Sequence, residues 1–149
     1  MRETLFNWLG QDLTGATCLD LFAGSGALGF EAASRGAKRV VMVERDRAAC
    51  AALEKNIQAL GARQVELART DALEFVRRDT GEYDVIFLDP PFSADHWSRL
   101  IPLLPPRLAA EGRVYCESGA PVAWPEGWTV LKEGRAGHVA YQLVARTQD

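Results

Sequence analysis

Short apolar runs alternate with amphipathic segments along most of the 149-residue chain. Apolar runs bounded by glycine, proline or charged residues predict buried strands, and segments with apolar residues three or four positions apart predict helices. Near the C-terminus the pattern changes to strict alternation around a Gly-Arg-Ala-Gly sequence, which is typical of a hairpin. The sequence therefore predicts strands at 17–22, 39–44, 64–69, 83–88, 113–117, 128–133 and 138–145, and helices at 2–9, 27–36, 46–60, 71–79 and, interrupted by three prolines, 95–109.

The order of these elements predicts the fold class. Five strand–helix units followed by a hairpin predict an α/β, Rossmann-like fold whose seven-stranded sheet is mostly parallel and ends in an antiparallel C-terminal hairpin. A dehydrogenase of this plan more often adds further units and a separate substrate domain. We expect residues 1–149 to form a single domain.

The fourth predicted strand ends abruptly in Asp89-Pro90-Pro91-Phe92. Two consecutive prolines cannot continue a central strand or a helix interior, so the chain leaves the sheet stiffly extended there. At the ligand-binding edge of a parallel sheet, Asp89 and the Pro90 carbonyl can accept hydrogen bonds from an amino group, and Phe92 can stack on a ring. The alternative is a proline-rich turn in which Asp89 acts as a cap.

A glycine-rich loop joins the first predicted strand to the next helix. Gly24, Gly26 and Gly29 match the spacing G-x-G-x-x-G, in which glycines permit a tight turn and let a ligand approach the backbone. The first N–H groups of the helix favour an anionic partner. The second strand ends in Glu44, at the position expected for a ribose-binding acid. These features together predict a nucleoside site.

Two further acids distinguish S-adenosylmethionine from a dinucleotide as the ligand. Asp20, within the first strand, can reach the α-amino group of a methionine moiety but would repel a pyrophosphate. Asp71, after the third strand, can accept from an adenine amino group beside the backbone of Ala72. As alternatives, Asp20 is a hydrogen-bonded turn acid, and Asp71 caps the following helix with Glu74 completing a capping box.

Composition narrows the class of protein. A hydrophobic content of 48% and a charged content of 25% are typical of globular domains. The longest apolar run is too short for a membrane span, and the start is not a secretory signal. Cys18, Cys50 and Cys116 lack C-x-x-C spacing and predict reduced core thiols in a cytoplasmic protein. His96 and His138 lie too far apart to suggest a metal site, so no metal is expected.

The charge of the chain is unfavourable for a stand-alone RNA binder. Its net charge is -3 and its pI is about 5.4, and the basic residues are scattered along the sequence. Proteins that bind RNA on their own more often carry a concentrated basic patch.

Several longer stretches are similar to one known family. L-D-L-F-A-G-S-G-A-L-G-F-E-A-A-S-R-G-A, V-E-R-D, F-L-D-P-P-F and the opening R-E-T-L-F-N-W-L resemble the bacterial 16S rRNA guanine-N2 methyltransferases of the RsmD type. The resemblance implies a class I methyltransferase fold, S-adenosylmethionine as cofactor with S-adenosylhomocysteine as product, and a cytoplasmic, monomeric enzyme. It also implies 16S rRNA, in the small ribosomal subunit or its assembly intermediate, as the partner.

The resemblance carries roles over to individual residues of this chain. It implies cofactor-binding residues Asp20, Phe22, Ala23, Gly24, Ser25, Gly26, Glu44, Arg45, Asp71 and Ala72, and catalytic residues Asp89, Pro90, Pro91 and Phe92 around the target guanine. Members of the family carry a further N-terminal segment with a basic β-hairpin implied in RNA contact, whereas here Met1 stands directly before Arg2. We expect the cofactor pocket to be independent of that extension and tight RNA binding to depend on it.

Two other functions remain open on the sequence. One is a methyltransferase of the same plan that acts on DNA adenine, free nucleotides or protein, because Asp-Pro-Pro-Phe also suits an adenine 6-amino group. The other is an NAD-type nucleotide-binding module or dehydrogenase, because G-x-G-x-x-G alone does not separate the two cofactors.

Overall fold

Strands and helices alternate through the first half of the chain, and three long strands complete the second half. The computed structural model describes residues 2–90 and 97–148. Its elements are α1 (Arg2–Trp8), β1 (Thr17–Asp20), α2 (Ala27–Ser34), β2 (Arg39–Glu44), α3 (Arg47–Leu60), β3 (Val65–Arg69), α4 (Ala72–Arg78), β4 (Tyr83–Leu88), α5 (Trp97–Leu100), 3₁₀ turns at Ile101–Leu103 and Pro105–Arg107, β5 (Leu108–Ser118), β6 (Trp128–Ala136) and β7 (Val139–Arg146).

The seven strands form one sheet in the order β3-β2-β1-β4-β5-β7-β6. The first five strands are parallel, whereas β7 runs antiparallel to both β5 and β6. This arrangement confirms the predicted mostly parallel sheet with an antiparallel C-terminal hairpin. The chain moves outward from β1 to β3 and then returns to place β4 on the other side of β1. The strand order therefore reverses between β1 and β4, and a crevice opens at their carboxyl ends.

The central strands carry nearly continuous apolar sequence because both faces of the sheet are covered. On one face Leu19 and Ile86 belong to a buried cluster that also receives residues of α4 and α5. On the other face Met42 and Phe87 belong to a second cluster, which receives residues of α1, α2 and α3. The two clusters hold the strand ends in register, so the residues that follow β1, β2 and β4 have defined positions.

Helix α1 is part of the core. Leu5 and Phe6 are fully buried, and the Phe6 ring lies 6.2 Å from the ring of Phe87 on β4. The guanidinium of Arg35 stands 4.6 Å from the centre of the Phe6 ring, a distance suited to a cation–π contact. The indole of Trp8 lies 5.4 Å from the ring of Tyr141. The predicted amphipathic helix therefore packs its apolar side on the sheet.

The segment before β5 differs from the prediction of a helix at 95–109 followed by a strand at 113–117. Residues 95 and 96 lie outside the described residues. The rest forms α5 and two 3₁₀ turns, with prolines in the first positions of each turn. Strand β5 already begins at Leu108, which pairs with Tyr83, and the register then shifts so that Val85 pairs with Arg113. This bulge depends on pairing with β4, and local sequence does not reveal it.

The hairpin is tighter than its Gly-Arg-Ala-Gly sequence predicts. Strand β6 continues to Ala136, and only Gly137 and His138 form the turn. Gly137 has a φ of 60°, which a two-residue hairpin turn requires and glycine adopts without strain. Gly134 lies within the strand opposite Tyr141, and a Cβ atom there would stand 2.8 Å from the tyrosine ring. Gly134 therefore makes room for an aromatic side chain and does not form the turn.

Three other observations bear on the class of protein. Cys18, Cys50 and Cys116 are buried free thiols, as the sequence predicts. Within residues 2–90 and 97–148, no helix has the length and apolar character needed to cross a membrane. In the same ranges, no group of three or more His, Cys, Asp or Glu side chains could hold a metal ion.

We expect Gly26→Ala to destabilise the protein more than Gly61→Ala. Both glycines have left-handed backbones, with φ of 84° and 60°, so both substitutions introduce backbone strain of about 1–2 kcal/mol. A Cβ at Gly26 would also lie 2.6 Å from Phe30 and 2.7 Å from Leu53, whereas one at Gly61 would meet no atom within 4 Å. Overpacking adds roughly 1–3 kcal/mol at Gly26. Urea unfolding measures both losses, and equal losses would show that the loop before α2 relaxes freely.

Candidate active site

A cavity of about 330 Å³ opens at the carboxyl ends of β1, β2, β3 and β4. Its volume lies within the range of small-molecule sites, and its position beside the strand-order reversal is where open α/β sheets bind ligands. The structure brings together here most of the residues that the sequence predicts for cofactor and acceptor. The wall consists of Leu21, Phe22, Gly24, Val43, Glu44, Arg45, Thr70, Asp71, Ala72, Asp89 and Pro90.

Glu44 connects the two loops that form one side of the cavity. One carboxylate oxygen accepts a hydrogen bond from the backbone N–H of Gly24 at 2.8 Å, and the other accepts from the N–H of Asp46 at 3.0 Å. An ionised carboxylate has about four acceptor sites, so each oxygen retains capacity for a further donor. Glu44 can therefore hold the loop after β1 in place and accept a pair of ligand hydroxyl groups at the same time.

The three glycines of the G-x-G-x-x-G sequence have different tasks. Gly24 lines the cavity, and a Cβ there would meet no atom within 4 Å. Gly29 lies on α2 against β2, where a Cβ would stand 2.5 Å from the Met42 side chain and 3.3 Å from Val40. Gly26 precedes the helix in a left-handed conformation. Among these glycines, Gly24 lines the cavity, and Gly29 allows close packing between helix and strand.

Asp20 is buried and is not among the described residues that line the cavity. Its side chain is 2% exposed, and its carboxylate accepts hydrogen bonds from the backbone N–H groups of Phe22 and Gly29. Burial, with a contribution from the negative charge of Asp89, raises the pKa of Asp20 to about 7. These hydrogen bonds are those expected of a turn acid. The predicted contact of Asp20 with the methionine amino group stays a prediction. The hydrogen bond from Gly29 also uses one of the first N–H groups of α2, which the sequence analysis predicts to be available to a ligand.

Three other predicted cofactor residues are likewise not among the described residues that line the cavity. Ala23 is buried, and its N–H donates to the carbonyl of Val43 at 3.0 Å. Ser25 is exposed, and Gly26 is buried beneath the loop. These residues shape the turn between β1 and α2, and their predicted part in cofactor binding stays a prediction.

Asp71 caps a helix and also lines the cavity. Its Oδ2 accepts from the N–H groups of Leu73 at 3.1 Å and Glu74 at 3.4 Å and so caps α4. The same residue lines the cavity, and its Oδ1 lies 3.8 Å from the guanidinium of Arg45. Glu74, predicted as the second half of a capping box, forms an ion pair with Arg78 at 3.0 Å. The cap holds Asp71 and Ala72 at the cavity edge.

Asp89 directly follows β4 and lines the cavity beside Pro90, and its side chain is half-buried. Burial, followed by the negative charge of Glu117 and a hydrogen bond to it, raises the pKa of Asp89 to about 7. Pro91 and Phe92, the other predicted catalytic residues, lie outside the described residues. At neutral pH the carboxyl group of Asp89 is therefore poised between its protonated and ionised forms.

Glu117 is a site residue that the sequence analysis did not single out. Leu88 of β4 pairs with Cys116 of β5, so Glu117, the next residue of β5, lies at the level of Asp89. Its position at the end of the fifth predicted strand could have indicated it, because the other predicted site acids also lie near strand ends. Thr70, Leu21 and Val43 were also missed, and they add one hydroxyl and two apolar surfaces to the wall.

The arrangement suits a nucleoside ligand. Acceptors from Glu44, Asp71 and Asp89 stand at separate points around the cavity, and apolar side chains between them offer surfaces for a flat ring. Carboxylates recognise hydroxyl and amino groups by accepting their hydrogen bonds. They would repel the phosphates of a dinucleotide, so the cavity favours a ligand that has donors and positive charge.

Comparison with known proteins agrees with this geometry. The sequence profile of the family described as "Conserved hypothetical protein 95" matches residues 1–145. Ribosomal RNA small subunit methyltransferase D of Haemophilus influenzae is 41% identical over 151 residues, which cover 96% of this chain and 78% of that protein. The protein of the same name from Escherichia coli K12 is 41% identical over 152 residues, or 98% of this chain and 76% of that protein. A solved structure described as a methyltransferase from Escherichia coli has a TM-score of 0.91 and 40% identity, and the match covers 99% of this chain and 85% of that one.

We expect the pH dependence of stability to be weaker in Asp20→Asn than in the wild type. The folded pKa of about 7 lies above the ordinary value of 3.8, so between these values the folded state keeps a proton that the unfolded state loses. The free energy of unfolding therefore falls as pH rises through this interval. Asparagine removes this contribution, and the fall between pH 5 and 8 becomes smaller by about 1 kcal/mol or more.

Urea unfolding at several pH values measures this difference. Glu126→Gln, which makes the same change of charge at an exposed position, serves as the control and keeps the wild-type slope. Parallel profiles for Asp20→Asn and the wild type would show that Asp20 ionises normally in the folded protein.

Proposed function

We propose that this chain, which belongs to the family described as Conserved hypothetical protein 95, methylates the 2-amino group of a guanine. Its relatives include proteins named ribosomal RNA small subunit methyltransferase D. It is an S-adenosylmethionine-dependent 16S rRNA methyltransferase with a class I fold. The guanine and its N2 atom are the finer part of the proposal. The observation that supports them is the position of Asp89 and Pro90 at the same cavity as Glu44 and Asp71.

The residues of the cavity fit S-adenosylmethionine. Glu44 would accept from both ribose hydroxyls, because each of its oxygens makes one backbone hydrogen bond and retains further acceptor capacity. Asp71, held by its capping bonds, would accept from the adenine amino group, with Ala72 beside the ring. The open space above Gly24 would admit the methionine part. When bound, the cofactor supplies a methyl group activated by a positively charged sulfur.

Asp89 and Pro90 would hold the acceptor. The lone pair of a guanine 2-amino group is delocalised into the ring, so the group is a poor nucleophile. Hydrogen bonds from its two N–H groups to the Asp89 carboxylate and the Pro90 carbonyl would localise the lone pair and direct it toward the methyl group. Positioning is then the main contribution of the protein. Asp89 need not be a strong base, because the amine proton becomes acidic only as the nitrogen–carbon bond forms.

The substrate must leave its helix or stack to reach the cavity. Flipping a base costs a few kcal/mol, which stacking on an aromatic side chain offsets by about 1–3 kcal/mol. The proposed stacking residue is Phe92. The proposed substrate is 16S rRNA in the small ribosomal subunit or its assembly intermediate, met by a monomeric enzyme in the cytoplasm. With a net charge of -3, residues 1–149 alone are expected to bind naked RNA weakly.

Neither of the two other functions that the sequence left open, a DNA adenine methyltransferase or an NAD-type module, is favoured. The relatives are named for ribosomal RNA, and a DNA adenine acceptor has no support among them. An NAD-type module would place pyrophosphate beside the acids of the cavity. The ring of carboxylates and the methyltransferase relatives both point away from that cofactor.

Methylation of small ribosomal subunits from a bacterial strain that lacks the homologous enzyme tests the proposed function. Purified protein and radiolabelled S-adenosylmethionine are expected to yield one N2-methylguanosine in 16S rRNA, identified by nucleoside mapping. Naked 16S rRNA and an assembly intermediate serve as parallel substrates. Label on adenine, or on protein alone, would contradict the guanine assignment.

We expect Glu44→Ala to weaken binding of S-adenosylmethionine by at least about tenfold, because hydrogen bonds to a charged acceptor are each worth roughly 1.5–3 kcal/mol. Isothermal titration calorimetry measures the affinity. Glu66→Ala on β3, whose carboxylate pairs with Arg39 at 2.6 Å, is the matched control and is expected to bind normally. Unchanged affinity in Glu44→Ala would remove Glu44 from the site.

Asp89→Ala is expected to lower the single-turnover rate of methyl transfer by about a hundredfold or more, because the acceptor amine loses its charged hydrogen-bond partner. Its affinity for S-adenosylmethionine is expected to stay close to that of the wild type, since Asp89 contacts the acceptor. The two measurements separate chemistry from cofactor binding. A rate that stays within about tenfold of the wild type would exclude Asp89 as the residue that orients the amine.

A further inference from the structure

The β6–β7 hairpin reaches the same edge of the sheet as the cavity. Strand β7 runs antiparallel to β5 and begins beside its carboxyl end, where Ala140 pairs with Ser118. Gly137 and His138 form the turn that joins β6 to β7. The hairpin tip, which we define as residues 135–138, therefore stands at the edge where the cavity opens.

Arg135 lies on the face of the sheet on which the cavity opens. It pairs with Ala140 of β7, and directly paired residues of adjacent strands have their side chains on the same face. Side chains alternate between the two faces along β7. Val144, an even number of residues from Ala140, belongs to the buried cluster that also contains Leu21 and Val43 of the cavity wall. The Arg135 side chain and the cavity are therefore on the same side of the sheet.

Lys132, the other basic residue of β6, lies on the opposite face. The register of the hairpin shifts between Val130 and Lys132, and Lys132 pairs with Leu143. Leu143 belongs to the cluster that receives residues of α1, α2 and α3. Both basic side chains of β6 are exposed, and Arg135 is the one on the cavity side.

The charge of Arg135 is not neutralised by a neighbouring acid. Within the part of the chain that the structure describes, its side chain forms no hydrogen bond or ion pair. Arginines at the other end of the same edge are engaged: Arg45 lies 3.8 Å from Asp71. Arg69 likewise forms an ion pair with Glu54. The guanidinium of Arg135 therefore keeps its donors for an anionic partner from outside the chain.

The distance between the hairpin and the acceptor side of the cavity suits a short stretch of RNA. Neighbouring strands stand about 4.7–4.9 Å apart, so β6 lies roughly 14 Å from β4 in the order β4-β5-β7-β6. Charges along one strand of a stacked nucleic acid advance by about 3.4 Å, so this distance corresponds to a few nucleotides. We propose, on the basis of the proposed function, that the hairpin tip binds the phosphate backbone beside the target guanine, with Arg135 as the charged contact.

The segment 119–127, which leaves the carboxyl end of β5, covers the sheet on this face. The N–H of Val122 donates to Oε1 of Gln142 at 3.1 Å, and Nε2 of Gln142 donates to the Val122 carbonyl at 3.3 Å. The indole N–H of Trp124 donates to the same Oε1 at 3.3 Å. Gln142 is 3% exposed, so these bonds fix the segment against the sheet. Glu126, the one charged residue of the segment, lies near the start of β6 at the opposite edge, so the segment adds little repulsion for phosphates.

Two acids near the hairpin tip define the direction from which a phosphate approaches. Glu117 is partly buried at the end of β5 and accepts from the Tyr115 hydroxyl at 2.7 Å. Glu133 shares the face of Arg135 but lies two residues, or roughly 7 Å, further from the edge. Neither forms an ion pair with Arg135 among the described contacts. A phosphate is therefore expected to reach Arg135 from the outer side of the turn.

Binding of small ribosomal subunits at several salt concentrations tests the proposal. We expect Arg135→Gln to weaken binding by about threefold or more at low salt, and to make the slope of log affinity against log salt concentration shallower by about 0.7–0.9, as for the loss of one phosphate contact. Arg135→Lys keeps the charge and is expected to retain most of the slope. With saturating subunits, the single-turnover rate of Arg135→Gln is expected to equal that of the wild type, and so is its affinity for S-adenosylmethionine.

Two variants with the same change of charge serve as controls. Lys132→Gln alters the other face of the same strand, and Arg63→Gln alters an exposed position just before β3, at the opposite edge of the sheet. Both are expected to keep the wild-type slope. An unchanged slope in Arg135→Gln, or an equal loss of slope in all three variants, would overturn the proposal.

Crosslinking locates the contact without reference to activity. Cys18, Cys50 and Cys116 are buried, so His138→Cys provides an accessible thiol for a photoreactive crosslinker. Crosslinks are expected within a few nucleotides of the methylated guanine, and Arg63→Cys is expected to give none there. Crosslinks from His138→Cys confined to other regions of 16S rRNA would refute the proposal.

The two proposals can fail separately. If binding depends on Arg135 but no guanine is methylated, the proposed function fails and the contact between hairpin and RNA stands. Methylation of guanine together with an unchanged salt slope in Arg135→Gln would refute the hairpin contact alone.

Discussion

The hydrogen bonds of Glu44 hold the cavity together. The loop after β1 and the turn before α3 have no regular structure of their own, and each donates one backbone N–H to the same carboxylate. Without this side chain, both donors would need other partners, and Gly24 would be free to adopt other conformations. Because most of the wall consists of residues at strand ends held by the core, the hydrogen bonds of Glu44 fix the loops that complete it. A residue expected to bind ligand therefore also builds the place where the ligand binds.

The same edge concentrates carboxyl groups that would be more stable apart. Asp20 and Asp89 each have a pKa raised to about 7 by burial and by neighbouring negative charge. The parallel sheet makes this crowding unavoidable, since the carboxyl ends of adjacent strands meet at one level. The backbone N–H groups that bond Asp20 reduce the electrostatic cost. Crowded carboxyl groups with shifted pKa values are common where a site binds a cation or transfers a proton.

Much of this arrangement can be predicted from the sequence, because it depends on local signals. Strands β1 to β4 are apolar runs with clear boundaries, and the acids Glu44, Asp71 and Asp89 follow them directly. The early start of β5 was missed because its bulge is set by pairing with Tyr83. Glu117 was missed for a related reason, since its significance comes from Asp89 on another strand. Asp20 shows a different limit: a buried turn acid and a ligand-binding acid have the same sequence.

The ring of acids around the cavity has a consequence for turnover. The sulfur of S-adenosylmethionine is positively charged, and the sulfur of the product is neutral. Carboxylates around the cavity would attract the charged form of the proposed cofactor more than its neutral product, because the charge that they attract is lost with the methyl group. The spent cofactor thus loses part of its attraction to the site as soon as the methyl group leaves. The difference in charge would then favour the exchange of product for fresh cofactor.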